Sequence, residues 1–231
     1  WRPMHLADKD KIPRALYYDF SASKGISGAS DHNVIDTVSS GNHTSVAPAA
    51  GRIWGAWGMD NAAGATTGAG LFISKSRTTF CIIGSQHIMH YVHMQTPSAL
   101  STAGQTYYLR AAIMASASSG LYNSNNSMGI RYRHDVNSGK WECYVRNNAG
   151  TDTVADSGVT VAAATDYELA ISINKANTEI TFWINQSVVA RITTGLANAV
   201  AAGTQIHMEK SVGTTTYTTY VYRMVSAAFS P

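Results

Sequence analysis

The chain has 231 residues, of which 45% are hydrophobic and only 13% are charged, and its formal net charge is +3. Because globular proteins usually contain about a quarter charged residues, the surface must consist largely of Ser, Thr, Asn, Gly and Ala. No run of Lys and Arg typical of nucleic-acid binding occurs, and no apolar run reaches transmembrane length, so we predict neither a nucleic-acid nor a membrane partner.

The first twelve residues differ in charge pattern from the rest of the chain. Residues 8–11 alternate between Asp and Lys before the first strand-like pattern begins. This segment is either a solvated lead-in or an arm that docks on a neighbouring subunit. We therefore divide the chain into a lead-in or arm at 1–12 and a single β-sandwich domain at 13–231, a length that one domain can reach.

Strand-like segments in the first half are separated by stretches rich in Gly, Ala, Ser and Thr. They are predicted at 15–20, 52–57, 70–74, 79–83, 88–94 and 107–115.

One of these segments contains the only histidine cluster. His87, His90 and His93 are spaced by three, so the two-residue period of a strand directs His87 and His93 to one face and His90 to the other. Three histidines so arranged do not converge on one ion. We predict no metal site and no cofactor.

The second half has the clearest strand pattern. Apolar and polar residues alternate over 166–175 and 180–184, and this pattern predicts a hairpin. The same alternation over 128–133 and 141–146 predicts a second hairpin. Further strands are predicted at 188–193, 205–210 and 216–224, and only 197–202 is a weak helical candidate. This pattern predicts an all-β fold, an antiparallel two-sheet jelly-roll sandwich. The predicted core contains Trp141, Tyr167, Leu169, Ile171, Ile180, Phe182 and Ile184.

The only cysteines, Cys81 and Cys143, both lie in apolar strands. They are either buried free thiols or partners in one disulfide bond. A chain with this much core does not need a crosslink, so we predict that they are not joined.

Five motifs occur in one order along the second half of the chain: Met128-Gly129-Ile130-Arg131-Tyr132, Trp141-Glu142-Cys143, Ala155-Asp156-Ser157-Gly158-Val159, Ile180-Thr181-Phe182-Trp183-Ile184-Asn185 and Glu209-Lys210-Ser211-Val212-Gly213-Thr214. In these motifs the chain from Tyr107 onward resembles the concanavalin A-like (laminin-G-like) jelly-roll modules of structural proteins of tailed bacteriophages. The resemblance implies a two-sheet sandwich in a virion, as a capsid decoration, head-fibre or tail component.

The sequence departs from that family at one hairpin. The family usually turns on Asn-Gly or Asp-Gly, whereas Asn185-Gln186 stands here without a glycine. Because Gln rarely adopts the left-handed conformation of such turns, we expect a longer or different turn.

Candidate binding residues lie on the outward faces of two predicted strand pairs. Trp183 points away from the core side of its strand and either packs beneath a loop or neighbour or stacks on a sugar ring. Tyr144, Arg131 and Arg146 point outward on the hairpin of 128–146. We take these four residues as candidate ligand or interface residues.

No catalytic constellation is recognised in the sequence. A glucanase of this fold would need paired carboxylates on one strand face, whereas the acids here are scattered. We therefore expect a non-enzymatic virion protein that assembles with other virion proteins and with copies of itself, with a trimer preferred over a monomer. The alternative is a carbohydrate-binding or receptor-recognition module, and a polysaccharide-cleaving tail enzyme is kept because the fold permits it.

Overall fold

The structure is a computed structural model that describes residues 81–115, 125–196 and 200–229 in full, together with the backbone of five earlier strands. The strands are β1 (Ala15–Asp19), β2 (Ile35–Ser39), β3 (His43–Val46), β4 (Ala56–Asn61), β5 (Gly68–Ile73), β6 (Cys81–Ile83), β7 (His87–Gln95), β8 (Tyr107–Met114), β9 (Ser127–Tyr132), β10 (Lys140–Arg146), β11 (Asp152–Thr160), β12 (Asp166–Ile173), β13 (Ile180–Ile184), β14 (Ser187–Ile192), β15 (Val200–Lys210) and β16 (Tyr217–Phe229). Within the described ranges no helix is long and apolar enough to cross a bilayer. The predicted lead-in at 1–12 lies outside the described residues.

The strands form two eight-stranded antiparallel sheets. Sheet A has the order β14-β13-β12-β7-β16-β4-β3, with β1 also paired to β16. Sheet B has the order β11-β10-β9-β8-β15-β5-β2, with β6 also paired to β15. The predicted antiparallel two-sheet sandwich is therefore confirmed. The weak helical candidate at 197–202 is wrong where it is described, because Val200 onward belongs to β15.

The core lies between the two sheets and is built from the alternate residues that the sequence pattern selects. All seven predicted core residues are at most 4% exposed. Trp141 lies edge-on to Tyr167, with 5.3 Å between ring centroids, and to Tyr132 at 6.0 Å. Edge-to-face packing of this kind adds to the stabilisation from burial alone. Cys81 and Cys143 are both buried in this core and are not joined.

The turn between β13 and β14 is shorter than the sequence predicts. Ile184 pairs with Ser187, so Asn185 and Gln186 form a two-residue turn, with positive φ values of 49° and 67°. Positive φ at both central residues is the feature of a type I′ turn, whose twist matches that of the flanking strands. The expectation of a longer or different turn is therefore wrong. The strand pairing imposes this geometry even though the second position is not glycine.

A polar network crosses the core at one point. His90 lies on β7 and faces sheet B, where its Nε2 donates to the carbonyl oxygen of Gln205 at 3.1 Å. Its Nδ1 lies 2.9 Å from Ser226 Oγ, which in turn lies 2.7 Å from Thr204 Oγ1. Burial lowers the pKa of His90 to about 4, so the imidazole is neutral and Nδ1 accepts a hydrogen bond from the Ser226 hydroxyl. The sandwich therefore contains a hydrogen-bonded chain that requires an uncharged histidine.

We predict that Gln186→Gly stabilises the protein. Glycine adopts positive φ without steric strain, and this gain exceeds the greater entropy of the unfolded chain, so the free energy of unfolding should rise by about 0.5–1 kcal/mol. Urea denaturation measures the change. Ser187→Gly, one residue later in the exposed part of β14, is the matched control and should destabilise, because there glycine only adds entropy to the unfolded state. Equal effects of the two substitutions would contradict the turn assignment.

We also predict that acid destabilises the fold through His90. Its pKa is about 4 in the folded protein, against the ordinary histidine value of 6.5 in the unfolded chain, so between these values the unfolded state binds the extra proton. Stability from this residue is complete above pH 6.5 and is lost as the pH falls toward 4, by about 3 kcal/mol. The drop in unfolding free energy from pH 7 to pH 4 should therefore be smaller in His90→Gln by about that amount. Ser226→Ala, which keeps the imidazole, should retain the full pH dependence.

Candidate functional site

Polar side chains form a row across the outer face of sheet B, the face that points away from sheet A. His207 on β15 is opposite Arg110 on β8, Arg110 is opposite Arg131 on β9, and Arg131 is opposite Glu142 on β10. Residues opposite one another in neighbouring strands share one face of a sheet. Four strands therefore bring two arginines, a histidine and a carboxylate into line.

Arg110 lies at the centre of this row and is only 2% exposed. The side-chain oxygen of Gln205, with its amide in the orientation that satisfies its neighbours, accepts from Arg110 Nε at 3.0 Å and Nη2 at 3.2 Å. Among the described residues, Arg110 Nη1 has no hydrogen-bond partner. Burial lowers the pKa of Arg110, and Tyr144 and Glu209 oppose that effect. The guanidinium is thus held by Gln205 while one nitrogen is left for another acceptor.

Tyr144 reaches this site from β10 because β9 carries a glycine beneath its ring. Tyr144 is opposite Gly129, and a Cβ at position 129 would lie 3.0 Å from Tyr144 Cε1 and 2.4 Å from the Ala111 carbonyl oxygen. Any larger residue at 129 would therefore displace the ring or the backbone of β8. Tyr144 is 1% exposed, and its hydroxyl lies beside Arg110 but makes no hydrogen bond of good geometry with any described residue.

A network of ion pairs flanks Tyr144. Arg131 Nε lies 2.6 Å from Glu142 Oε2, and its Nη1 lies 2.9 Å from Asp152 Oδ2. Arg146 Nη1 binds the other oxygen of Asp152 at 2.9 Å. The Arg131 guanidinium carbon also lies 4.5 Å from the centroid of the Tyr144 ring, which is a cation–π distance. The network therefore helps to hold the Tyr144 ring in place.

His207 is the titratable group beside Arg110. It is 2% exposed, and burial together with the nearby positive charge of Arg110 holds its pKa well below the usual range of histidine. The imidazole is therefore neutral at physiological pH. A neutral histidine keeps one nitrogen lone pair that can accept a proton.

The structure unites three of the four candidate residues predicted from the sequence. Tyr144, Arg131 and Arg146 share the outer face of sheet B, as their alternation predicts, but Tyr144 and Arg131 are buried and do not form an open surface. Trp183 lies instead on the outer face of sheet A. A binding or interface role for these four residues stays a prediction.

Three residues of this cluster were missed by the sequence analysis. Arg110, Gln205 and His207 each stand among apolar residues of a strand, with Arg110 in YYLRAAIM and the other two in TQIHMEK. That pattern is a signal for a buried polar group. The pattern within each strand does not indicate that β8 and β15 are neighbours in the sheet, so the cluster could not be predicted from it.

The histidines of β7 lie as the sequence predicts. His90 faces the core, while His87 binds Ser172 Oγ at 2.8 Å and His93 stacks on Tyr222 at 5.0 Å, both on the other side of sheet A. In the part of the chain that the structure describes, no three His, Cys, Asp or Glu residues form a group able to hold a metal.

Comparisons with known proteins show the fold. No family model and no curated protein matches the sequence. The structure is similar to the endo-β-1,4-glucuronan lyase of the fungus Trichoderma reesei, with a TM-score of 0.62 and 9% identity over 92% of this chain and 94% of that one. It is also similar to the carbohydrate recognition domain of Emp47p (TM-score 0.60, 6% identity, 93% and 95% covered) and to a β-glucanase of Bacillus licheniformis (0.57, 9%, 92% and 97%). These are concanavalin A-like sandwiches, so that part of the resemblance is confirmed.

The comparisons contradict the prediction that the chain is not an enzyme. That prediction depended on the absence of paired carboxylates on one strand, which is a requirement of glycoside hydrolysis only. The similar structures include a lyase as well as a glucanase. Since one fold supports several chemistries, the missing carboxylate pair does not exclude catalysis.

We predict that Tyr144→Phe leaves the fold at least as stable as the wild type. The substitution keeps the ring over Gly129 and removes only a buried hydroxyl that lies beside Arg110 without a hydrogen bond of good geometry. Because an unsatisfied buried hydroxyl is destabilising, the free energy of unfolding should stay the same or rise by up to about 1 kcal/mol. Tyr144→Ala is the control and should lose about 3 kcal/mol or more, since it also leaves a cavity. A clear loss of stability in the Phe variant would show that the hydroxyl has a structural partner.

Proposed function

We propose that this chain binds an acidic polysaccharide on the outer face of sheet B and cleaves it by β-elimination. The observation that carries the proposal is the juxtaposition of two buried polar groups, the Arg110 guanidinium and the Tyr144 hydroxyl, which lie beside each other and beside the neutral His207 without a hydrogen bond of good geometry at Arg110 Nη1 or Tyr144 Oη. Buried polar groups are nearly always hydrogen-bonded, and those that are not concentrate at functional sites. A ligand that supplies an acceptor to Arg110 would complete the hydrogen bonding of this cluster.

The chemistry of Arg110 favours a carboxylate as that acceptor. A guanidinium presents a planar set of N–H donors that matches a carboxylate, and its charge is weakly screened in a buried site. Gln205 occupies Nε and Nη2, which leaves Nη1 for the ligand. The similar glucuronan lyase acts on a polymer of glucuronate, each unit of which carries a carboxylate. A uronate polymer is therefore the substrate class that we propose.

The residues of the site match the three tasks of β-elimination. Arg110 binds the uronate carboxylate and stabilises the negative charge that develops when the neighbouring C5–H bond breaks. His207, neutral in the free protein because of burial and Arg110, accepts the C5 proton as the general base once the bound carboxylate offsets the charge of Arg110. The electron pair forms the C4–C5 double bond, the C4–O4 bond breaks, and the Tyr144 hydroxyl gives its proton to O4. The products are a new reducing end and an unsaturated uronate, so water is not consumed.

Substrate entry requires a change in the protein. Arg110, Tyr144 and His207 are each at most 2% exposed, so a sugar ring cannot reach them in the closed state. Closed active sites strengthen electrostatic interactions by excluding water, and opening steps are common in enzymes that use them. Opening of this face is therefore part of the proposed mechanism.

Hydrolysis fits this cluster less well than elimination. The carboxylates next to Tyr144, Glu142 and Asp152, are both held by Arg131. Both carboxylates are therefore engaged in ion pairs, whereas a glycosidase needs two carboxyl groups that face the scissile bond of the sugar. A setting in a virion and a homo-oligomeric state depend on the resemblance and composition alone, and both stay predictions; a cleaving tail protein would satisfy both.

The test is an assay of the purified chain on polyglucuronate, following the ultraviolet absorbance of the unsaturated product. We expect cleavage by the wild type and a loss of at least about 100-fold in rate in Tyr144→Phe and in His207→Asn. Tyr144→Phe is the sharper variant because its fold should be intact. Arg191→Gln is the control, since Arg191 is an exposed arginine on β14 of sheet A, and it should keep full activity.

The outcomes separate the two parts of the proposal. Binding of polyglucuronate without unsaturated product, measured by titration calorimetry, would overturn elimination and retain acidic-glycan binding. Absence of both binding and cleavage, for polyglucuronate and for other uronate polymers, would overturn the proposal. An unchanged rate in Tyr144→Phe would remove Tyr144 from the mechanism.

A further inference from the structure

Arg146 extends the outer face of sheet B beyond the uronate site, at the end of β10. It lies two residues after Tyr144 and therefore projects on the same face, about 6.8 Å farther along the strand. Arg110 lies on β8, level with Glu142, which comes two residues before Tyr144. The two arginines are therefore displaced to opposite sides of Tyr144 along the strand direction, and by about 9.6 Å across two strands.

The guanidinium of Arg146 offers one of its edges to a ligand. Its Nη1 binds Asp152 Oδ1 at 2.9 Å, and this ion pair holds the side chain in place. Its Nε has no hydrogen-bond partner in the part of the chain that the structure describes. An arginine binds a carboxylate best through two parallel N–H groups. The edge formed by Nε and Nη2 is therefore the one suited to a second carboxylate.

The loop beside this edge is open to a sugar. Gly150 has a φ of 81°, and a Cβ there would lie 3.3 Å from Arg146 Nη2 and 3.2 Å from Asn125 Oδ1. A side chain at position 150 would enter the space between these two groups, so glycine keeps that space free. Asn125 is exposed, and its Nδ2 donates to the carbonyl oxygen of Asn148 at 2.8 Å. Its Oδ1 can accept from a sugar hydroxyl beside the Arg146 edge.

The positions of the two arginines match a β-1,4-linked uronate polymer. Successive units of such a polymer are turned over relative to one another, so that neighbouring carboxylates point to opposite edges of the chain. Arg110 approaches from β8 and Arg146 from β10, on the two sides of a polymer that lies over β9. When the carboxylate of the unit that loses its C5 proton is on Arg110, the unit that leaves with O4 extends past Tyr144 toward Arg146.

We infer that Arg146 binds the carboxylate of the unit that leaves with the new reducing end, so that the substrate carries uronates in consecutive positions. This inference rests on the uronate binding proposed above and narrows it. A polymer in which uronates alternate with neutral sugars, such as hyaluronan, would place a carboxylate on Arg110 and none on the Nε–Nη2 edge of Arg146. Sites built to hydrogen-bond a group discriminate against ligands that lack it. Alternating polymers should therefore be poor substrates.

The experiment compares polyglucuronate with hyaluronan, since each contains a β-1,4 bond to C4 of a glucuronate. We expect the wild-type kcat/KM for polyglucuronate to exceed that for hyaluronan by at least about 10-fold. Arg146→Gln should lower the value for polyglucuronate by a similar factor and leave the value for hyaluronan unchanged. A merely structural role of Arg146 would lower both values equally.

The fold should tolerate these changes. In Arg146→Gln, Asp152 keeps its ion pair with Arg131 at 2.9 Å. Arg146→Lys retains the charge but has no planar edge, so it should also lose the preference for polyglucuronate, and it replaces the Gln variant if that one does not fold. Arg191→Gln, which changes an exposed arginine of sheet A, is the matched control and should keep both values.

An equal loss on both polymers in Arg146→Gln, or no loss on either, would overturn the inference and leave the proposed cleavage standing. If the wild type cleaves neither polymer, titration calorimetry with tetraglucuronate and a hyaluronan tetrasaccharide makes the same comparison. A preference for tetraglucuronate that Arg146→Gln abolishes would then support the inference even though elimination fails. Equal affinities, or binding of neither oligosaccharide, would overturn it.

Discussion

The hydrogen bonding of one buried arginine organises the outer face of sheet B. Burial lowers the pKa of Arg110 while Tyr144 and Glu209 oppose that effect, and Gln205 accepts hydrogen bonds from two of its nitrogens. Burial, together with the charge of Arg110, lowers the pKa of His207 and so keeps it neutral. A buried cation is costly unless its neighbours are fixed in place. The glycine beneath Tyr144 and the ion pairs around Arg131 provide that fixation.

Most of the fold follows from alternation that can be read along single strands. Tyr167, Leu169 and Ile171 alternate with polar residues, and this pattern alone places them between the sheets. Two strands with weaker patterns were not predicted from the sequence, β2 (IDTVS) and β3 (HTSV). Both are short, and a few residues give too little periodicity to distinguish a strand from a loop. The turn at Asn185-Gln186 was predicted wrongly for a different reason. The local preference of Gln186 opposes a positive φ, but the pairing of β13 with β14 imposes it.

The candidate site could be predicted only in part, for a physical reason. Tyr144, Arg131 and Arg146 belong to one hairpin, so their shared face follows from local sequence. Arg110 and His207 are almost a hundred positions apart in the sequence and meet because β8 pairs with β15 in one register. A shift of that register by one residue would send His207 into the core. Long-range pairing of this kind has no signature within either strand.

Gln205 joins the interior of the sandwich to its outer face. Its side chain accepts hydrogen bonds from Arg110 on the outer face of sheet B, while its carbonyl oxygen accepts the hydrogen bond that His90 Nε2 donates from the core side. A disturbance between the sheets, such as loss of the Ser226 hydroxyl or a change in side-chain volume near Thr204, is thereby transmitted through a single peptide unit to the guanidinium. Directed evolution of the outer face should accordingly recover compensating substitutions in the core at these positions, far from any atom that a ligand can touch.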